Sequence, residues 1–203
     1  VHMVIEPAKI NHGVKFQRID LENQPVLPAD INLVTDTQRS TTLEKDNVKI
    51  VTVEHLMSAL YALGVNNVLI KMDSSEVPIL DGSAKYFVEE IQKVGLKVQD
   101  APLKYIDLPD PIHYTDPDSG SEILFVPTNN FIISVVLDYQ NLALGTQYAE
   151  IRDLKDYSTE IAPCKTFVFL TELEKLSKAN LIKGGGLETV SYTHLTLPTI
   201  LLV

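Results

Sequence analysis

Glu54 and His55 stand side by side at the start of a segment whose residue pattern predicts a helix. Thr52 is the predicted N-cap. A buried stripe follows at helical spacing, formed by Leu56, Ala59, Leu60 and Leu63. The positive end of the helix dipole favours an ionised Glu54 and a neutral His55, and the neutral imidazole is the form that binds a metal. A metal ligand beside a carboxylate base suits metal-assisted hydrolysis. Alone, the pair is a weak signal, since most such pairs lie in a solvated first turn.

Composition narrows the class of protein. The 203 residues suffice for one large domain or for two of about 100 residues each. A net charge of −10 argues against a nucleic-acid partner, because binding phosphates requires a basic surface. The single cysteine, Cys164, excludes an internal disulfide and fits a reducing compartment. Neither a signal peptide nor an apolar run of membrane-spanning length is found, so we expect a cytoplasmic protein without a transmembrane segment.

The first half of the chain alternates between strand-like and helix-like patterns. The predicted strands are Met3–Ile5, Val14–Ile19, Ile31–Thr35, Val48–Val51 and Val68–Met72. A second predicted helix ends at Gly95 and is capped by Ser83 or Asp81. Its apolar stripe consists of Ala84, Phe87, Val88, Ile91 and Val94. This order predicts an α+β fold in which helices cover one face of a sheet.

From about residue 100 the pattern changes to short strands separated by Pro, Gly and Asn turns. The predicted strands are Leu103–Leu108, Ile112–Thr115, Glu122–Val126, Phe131–Tyr139, Gly145–Glu150 and Thr166–Leu170, the last leading into a helix. We therefore predict a first α+β domain over 1–98 and a second, similar and incomplete domain over 99–190. The hydroxyl-rich stretch 191–203 does not continue the pattern, and we expect it to be a non-native tail.

Three motifs in a fixed order extend the Glu54–His55 signal. They are Thr52-Val53-Glu54-His55-Leu56, Gly64-Val65-Asn66-Asn67, and Glu76-Val77-Pro78-Ile79-Leu80-Asp81-Gly82-Ser83-Ala84. Their order and spacing closely resemble the UDP-3-O-acyl-N-acetylglucosamine deacetylase family of lipid A biosynthesis. The resemblance continues in Lys165-Thr166-Phe167-Val168-Phe169 and in Gly184-Gly185, so that it covers residues 3–188.

The resemblance implies a zinc amidohydrolase with two similar α+β domains and an active site between them. Such an enzyme removes the acetyl group from a UDP-linked, acylated glucosamine, and we expect it to be a monomer. By position, His55 is implied as a zinc ligand and Glu54 as the general base. Thr166 and Phe167 are implied at the reacting end of the substrate. The acyl chain is expected along Phe169, Leu173, Ile182 and Gly185, and the zinc site is expected to be bordered by Gln38, Arg39 and Ser40.

The chain also departs from the family pattern. The family takes a histidine and an aspartate ligand from an H-K-x-x-D stretch beyond the position of Gly186, and a later histidine is its general acid. None of these is found here, and neither is the opening strand with its G-L-H-x-G turn. A catalytic zinc usually has three protein ligands, and His55 supplies one. We therefore expect a chain truncated at both ends that is inactive by itself.

Two other interpretations remain open from the sequence. The chain could be a non-catalytic two-domain binding or scaffold protein in which the histidines are unrelated surface or core residues. It could also be a different metal hydrolase that uses His12 or His113 together with His55. That hypothesis requires the imidazoles to converge to about 2.0–2.1 Å from one zinc ion.

Overall fold

A computed structural model describes residues 1–140, 144–169 and 191–193 of the chain. The strands are β1 (Met3–Pro7), β2 (Val14–Arg18), β3 (Val26–Pro28), β4 (Val34–Asp36), β5 (Thr42–Lys45), β6 (Val48–Val51), β7 (Val68–Met72), β8 (Ile112–Thr115), β9 (Glu122–Phe125), β10 (Ile133–Asp138), β11 (Thr146–Ile151), β12 (Phe167–Phe169) and β13 (Ser191–Thr193). The α-helices are α1 (Glu54–Ala62), α2 (Lys85–Val94) and α3 (Tyr157–Glu160). This mixed composition is compatible with the predicted α+β class.

Two sheets and two helices surround one apolar core. The first sheet has the order β1-β7-β2-β3, in which β7 runs antiparallel to β1 and parallel to β2. The second has the order β4-β5-β6 and is antiparallel. Strand β7 alternates as expected of a half-buried strand, with Val68, Ile70 and Met72 inside. Residues of both sheets and both helices share the core, among them Phe16, Leu43, Ile50, Leu56, Leu60 and Phe87.

Helix α1 forms where the sequence predicts it. It buries Leu56, Ala59 and Leu60, and Gly64 follows it in the left-handed conformation that a glycine adopts without strain. The prediction that Thr52 is the N-cap is wrong, because the cap position is Val53 and carries no side-chain hydrogen bond. Thr52 instead donates its hydroxyl to Glu76. The helix start is thus held from outside the helix.

Helix α2 forms where the sequence predicts it, but its cap position is Ala84 and not Ser83 or Asp81 as predicted. The Ser83 hydroxyl accepts a hydrogen bond from the first helical amide, that of Lys85, and donates one to the Asp81 carboxylate. Phe87 and Val88 are buried, but Val94 is 85% exposed and does not belong to the buried stripe. Ile91 still packs against the core, whereas the last three residues of the helix, Gln92, Lys93 and Val94, are exposed.

Two predicted strands differ from the structure. Leu103–Leu108 has no strand conformation and pairs with no described strand, and its Tyr105 and Ile106 side chains are largely exposed. An apolar run without a hydrogen-bonding neighbour does not make a strand. The predicted strand Ile31–Thr35 begins as a 3-10 helix over Ile31–Leu33, because the Asp30 carboxylate accepts from the Asn32 amide.

The other strands predicted after residue 100 are present within one or two residues at each end. They form the antiparallel pairs β8–β9 and β10–β11. Strand β12 pairs in parallel with β13, which lies in the stretch 191–203 where the sequence predicts no strand. All side chains of β8, β9 and β10 are exposed. The helix predicted after Leu170 lies outside the described residues. Across the ranges that the structure describes, no helix is both long and apolar enough to span a membrane.

Residues 151–166, from the last residue of β11 to the residue before β12, return to the core of the first half. Ile151, Tyr157 and Ala162 are buried in the same cluster as α1 and α2. The Ala84 amide donates to the Ala162 carbonyl at 3.0 Å, and the Thr166 amide donates to the Gly82 carbonyl at 2.8 Å. The start of α2 and residues 162–166 are therefore joined by backbone hydrogen bonds.

Limited proteolysis should distinguish the two halves. We predict that proteases cut within 100–188 before they cut within 1–95, because strands β8 to β10 lie exposed whereas the first half forms the core. Mass spectrometry of the early fragments measures the order of cutting. Early cleavage inside α1 or β7 would contradict the prediction.

Asp81 should make stability depend on acidic pH. Burial raises the pKa of Asp81, but hydrogen bonds from Ser83 and the charge of Lys165, 3.6 Å away, outweigh it and hold the pKa below its ordinary value of 3.8. The stabilisation is therefore complete above pH 3.8 and is lost as the pH falls through the lower folded-state value. Asp81→Asn should lower the free energy of unfolding at pH 7 by about 1 kcal/mol.

Urea denaturation at pH 7 and at successively lower pH tests this expectation. The difference between wild type and Asp81→Asn should shrink as the pH falls below 3.8. Asp110→Asn, at an exposed aspartate, serves as the control and should be neutral throughout. A difference that stays constant with pH would show that the Asp81 charge is not the cause.

Candidate functional site

Glu54 is the first residue of α1 and is oriented by a backbone amide. The Thr41 amide donates to Glu54 Oε2 at 2.9 Å, and the Val53 amide donates to the Thr41 carbonyl at 3.4 Å. These bonds bring the chain just before β5 against the start of α1. A carboxylate has several acceptor positions, so one amide bond fixes its orientation and leaves capacity to take up a proton. Thr41 is a contact that the sequence analysis missed.

The turn before α1 is held in an unusual backbone conformation. Thr52 has a φ of 62°, although it is β-branched and 7% exposed. Such a residue is a genuine outlier that costs on the order of 1–3 kcal/mol and persists only where its surroundings enforce it. Here the Thr52 hydroxyl donates to Glu76 Oε1 at 3.1 Å. The Val51 amide donates to Ser75, and the Val77 amide donates back to Val51.

These bonds explain why two sequence motifs occur together. The segment beginning at Thr52 and the segment beginning at Glu76 are neighbours in space through a parallel bridge between Val51 and Glu76. The second segment then runs to Asp81, Gly82 and Ser83, where it contacts Lys165 and Thr166. Hydrogen bonds and one ion pair thus connect the motif that begins at Thr52 with the motif that begins at Glu76, and the latter with Lys165 and Thr166.

His55 lies half-buried in the first turn of α1, as predicted. Its backbone carbonyl accepts a hydrogen bond from the Ser58 hydroxyl at 2.8 Å. Ser58 in turn lies 2.6 Å from the Tyr157 hydroxyl. Neither Ser58 nor Tyr157 was identified from the sequence, since neither belongs to a motif.

Zinc in proteins is held by His, Cys, Asp and Glu side chains. Within the described ranges, no three side chains of His, Cys, Asp and Glu converge as a metal site. The described residues therefore do not complete a zinc centre around His55. His12 is turned to the Gly13 carbonyl, and His113 lies on an exposed strand 3.8 Å from Glu122. Nothing in the described part of the chain supports a different centre built from His12 or His113 with His55.

The structure places the remaining predicted residues in two groups. Gln38, Arg39 and Ser40 form the bend that leads into Thr41, and thus adjoin the residue that orients Glu54. Phe167 and Phe169 lie in β12, where the Phe167 ring contacts that of Tyr139 at 5.6 Å. Thr166 precedes that strand. Leu173, Ile182 and Gly185 lie outside the described residues.

A family model and several curated proteins match most of this chain. The family model of UDP-3-O-acyl N-acetylglycosamine deacetylase matches residues 1–194. A bifunctional enzyme LpxC/FabZ of Bacteroides thetaiotaomicron is 45% identical over 186 residues, which is 92% of this chain and 40% of the relative. Its counterpart in Porphyromonas gingivalis is 43% identical over 93% of this chain and 41% of the relative.

A relative that carries only the deacetylase name is also similar to this chain. The UDP-3-O-acyl-N-acetylglucosamine deacetylase of Thermosynechococcus vestitus is 37% identical over 188 residues, which is 93% of this chain and 65% of the relative. The chain spans about two fifths of the length of the bifunctional relatives. The resemblance seen in the sequence motifs is confirmed: the chain belongs to the UDP-3-O-acyl N-acetylglycosamine deacetylase family.

Proposed function

We propose that this chain belongs to a zinc-dependent enzyme that removes the acetyl group from UDP-3-O-acyl-N-acetylglucosamine in lipid A biosynthesis. Family membership supports this proposal, as do the relatives that carry the deacetylase name. The observation that carries it is the pairing of an oriented Glu54 carboxylate with His55 in the first turn of α1. This is the arrangement that amide hydrolysis requires of a base beside a metal ligand.

In this proposal His55 is one zinc ligand and Glu54 is the general base. Zinc, when bound, would supply a Lewis acid that lowers the pKa of water to about 7. A catalytic zinc usually has three protein ligands, so further donors beyond the described residues are needed. Glu54 would take the proton from the water that attacks the acetyl carbonyl. The Thr41 amide would keep its carboxylate in the orientation for this transfer.

The substrate residues follow the same proposal. Thr166 and Phe167 would contact the reacting end of the UDP-linked substrate. The acyl chain would lie along Phe169, Leu173, Ile182 and Gly185, and Gln38, Arg39 and Ser40 would border the zinc site. The backbone bond from Thr166 to Gly82 supports a shared site, because it fixes Thr166 to the motif that also contacts the turn before Glu54.

We also propose the division into domains at residues 98 and 99, each domain a layered α+β sandwich, with 191–203 as a non-native tail. The change to exposed strand pairs after residue 100 supports this division. Residues 151–166 would then belong to the contact between the domains.

The net charge of −10 supports a protein without a nucleic-acid partner, and the single cysteine supports a cytoplasmic location. We propose a monomer.

A second candidate is a non-catalytic binding or scaffold protein. The observation in its favour is that, among the described residues, no three His, Cys, Asp or Glu side chains converge as the ligands of a catalytic zinc usually do. This candidate predicts that Glu54 has no chemical role. Substitution of Glu54 in the complete protein therefore separates the two candidates.

Glu54→Gln in the complete protein should lower kcat for deacetylation by about 10²- to 10⁴-fold, the contribution of a positioned general base. Thermal stability should stay near that of wild type, because the glutamine carbonyl can still accept from the Thr41 amide. Acetate release from the UDP-linked substrate measures the rate. Glu89→Gln, on the exposed face of α2, is the matched control and should keep full activity. Equal rates for Glu54→Gln and wild type would contradict the proposal.

The 203-residue chain alone should release no acetate, because its described residues do not complete a zinc site. The same assay at high enzyme concentration, with added zinc, tests this expectation. Any activity should be checked with Glu54→Ala. Activity that this substitution abolished would show that the chain forms a working site without further ligands.

A further inference from the structure

Three polar groups form a series of hydrogen bonds between α1 and the segment 151–166. The Tyr157 hydroxyl lies 2.6 Å from Ser58 Oγ, and Ser58 Oγ lies 2.8 Å from the His55 carbonyl oxygen. Tyr157 is 6% exposed and belongs to the same buried cluster as Ala59 and Ala162, and its backbone carbonyl accepts from the Ala162 amide at 2.8 Å. This series of hydrogen bonds therefore ends at the backbone carbonyl of His55, the proposed zinc ligand.

The direction of these hydrogen bonds follows from the number of protons. A serine hydroxyl has one proton, and that of Ser58 is donated to the His55 carbonyl. The bond between Ser58 and Tyr157 must then be donated by the phenol. Burial raises the pKa of Tyr157, although the hydrogen bond with Ser58 opposes this effect, so the phenol remains protonated and able to donate at neutral pH. The Tyr157 phenol thus donates to Ser58, and Ser58 donates to the His55 carbonyl, so the direction of both hydrogen bonds is fixed.

The same segment is tied to the site at its other end. Ala162 accepts from the Ala84 amide, and the Thr166 amide donates to Gly82. Tyr157 and Thr166 are nine residues apart, with Ala162 between them. The segment therefore runs from the turn that carries His55 to the strand that carries Phe167, with a hydrogen bond at each end.

We propose that Tyr157 is a positioning residue that acts through Ser58 on the His55 backbone and sets the place of Thr166 relative to that turn. A phenylalanine could fill the same apolar space, so the hydroxyl is not needed for packing. Its function is directional, because a hydrogen bond fixes orientation where apolar contact does not. The inference rests on the proposed function in assigning His55 and Thr166 to one site.

The test uses Tyr157→Phe in the present chain and records the His55 carbonyl ¹³C resonance and amide hydrogen exchange. We expect the His55 resonance to move, because Ser58 loses the donor that polarises its own bond to that carbonyl. We expect the Thr166 amide to exchange about fivefold faster, which corresponds to one hydrogen bond of ordinary net strength. The Ile70 amide, in the central strand β7, reports on global stability and should not change by the same factor.

Tyr61→Phe is the matched control. It removes the same hydroxyl from α1 at a side chain that is 59% exposed, and it keeps the ring contact with Phe131. Neither the His55 resonance nor the Thr166 exchange rate should respond. If Tyr157→Phe left both signals unmoved, or if Ile70 exchange rose by the same factor as Thr166 exchange, the positioning role would be wrong.

A double-variant cycle tests the path through Ser58. Ser58→Ala should move the same His55 resonance, and adding Tyr157→Phe should produce no further loss, because the phenol has already lost its acceptor. Additive effects of the two substitutions would overturn the proposed path. These measurements need no catalysis, so a failure of the proposed deacetylation leaves them decisive for the role of Tyr157.

Discussion

The hydrogen bond from Thr52 to Glu76 joins two parts of the chain that are 24 residues apart. It stabilises a left-handed turn that a β-branched residue would otherwise avoid. That turn ends β6 and starts α1, and therefore sets the direction in which Glu54 and His55 leave the sheet. The backbone bonds between Val51 and residues 75–77 reinforce the arrangement. The backbone strain at Thr52 is thus offset by the hydrogen bonds that Thr52 and Val51 form with residues 75–77.

The candidate site is built from segments that are far apart in sequence and that each contribute little alone. Thr41 orients Glu54, and Gly82 holds Thr166. The packing of Ile151 and Ala162 on the first core brings the last of these segments into place. Because backbone groups make many of these contacts, the geometry depends on the fold of the chain more than on individual side chains. This dependence is typical of sites that require rigid placement.

The sequence predicted correctly those elements in which apolar residues recur at a clear helical or strand spacing. Helix α1 and strand β7 lie where the sequence predicts them. The predictions for Leu103–Leu108 and for the Thr52 cap are wrong because both depend on tertiary context. The apolar run 103–108 would need a neighbouring strand, and Thr52 would need the backbone conformation of a cap. Neither condition can be read from the residues themselves.

The sequence alone determined the family, through three ordered motifs, and the presence of a carboxylate and an imidazole in one helical turn. These follow from residue type and spacing, which the chain carries locally. Only the tertiary structure decided that Thr41 orients Glu54, that Thr52 bonds Glu76, and that Tyr157 reaches His55 through Ser58. Apart from the local bond of Ser58 to His55, these contacts join residues 13, 24 and 99 positions apart. They exist only once the packing of the apolar core has brought the segments together.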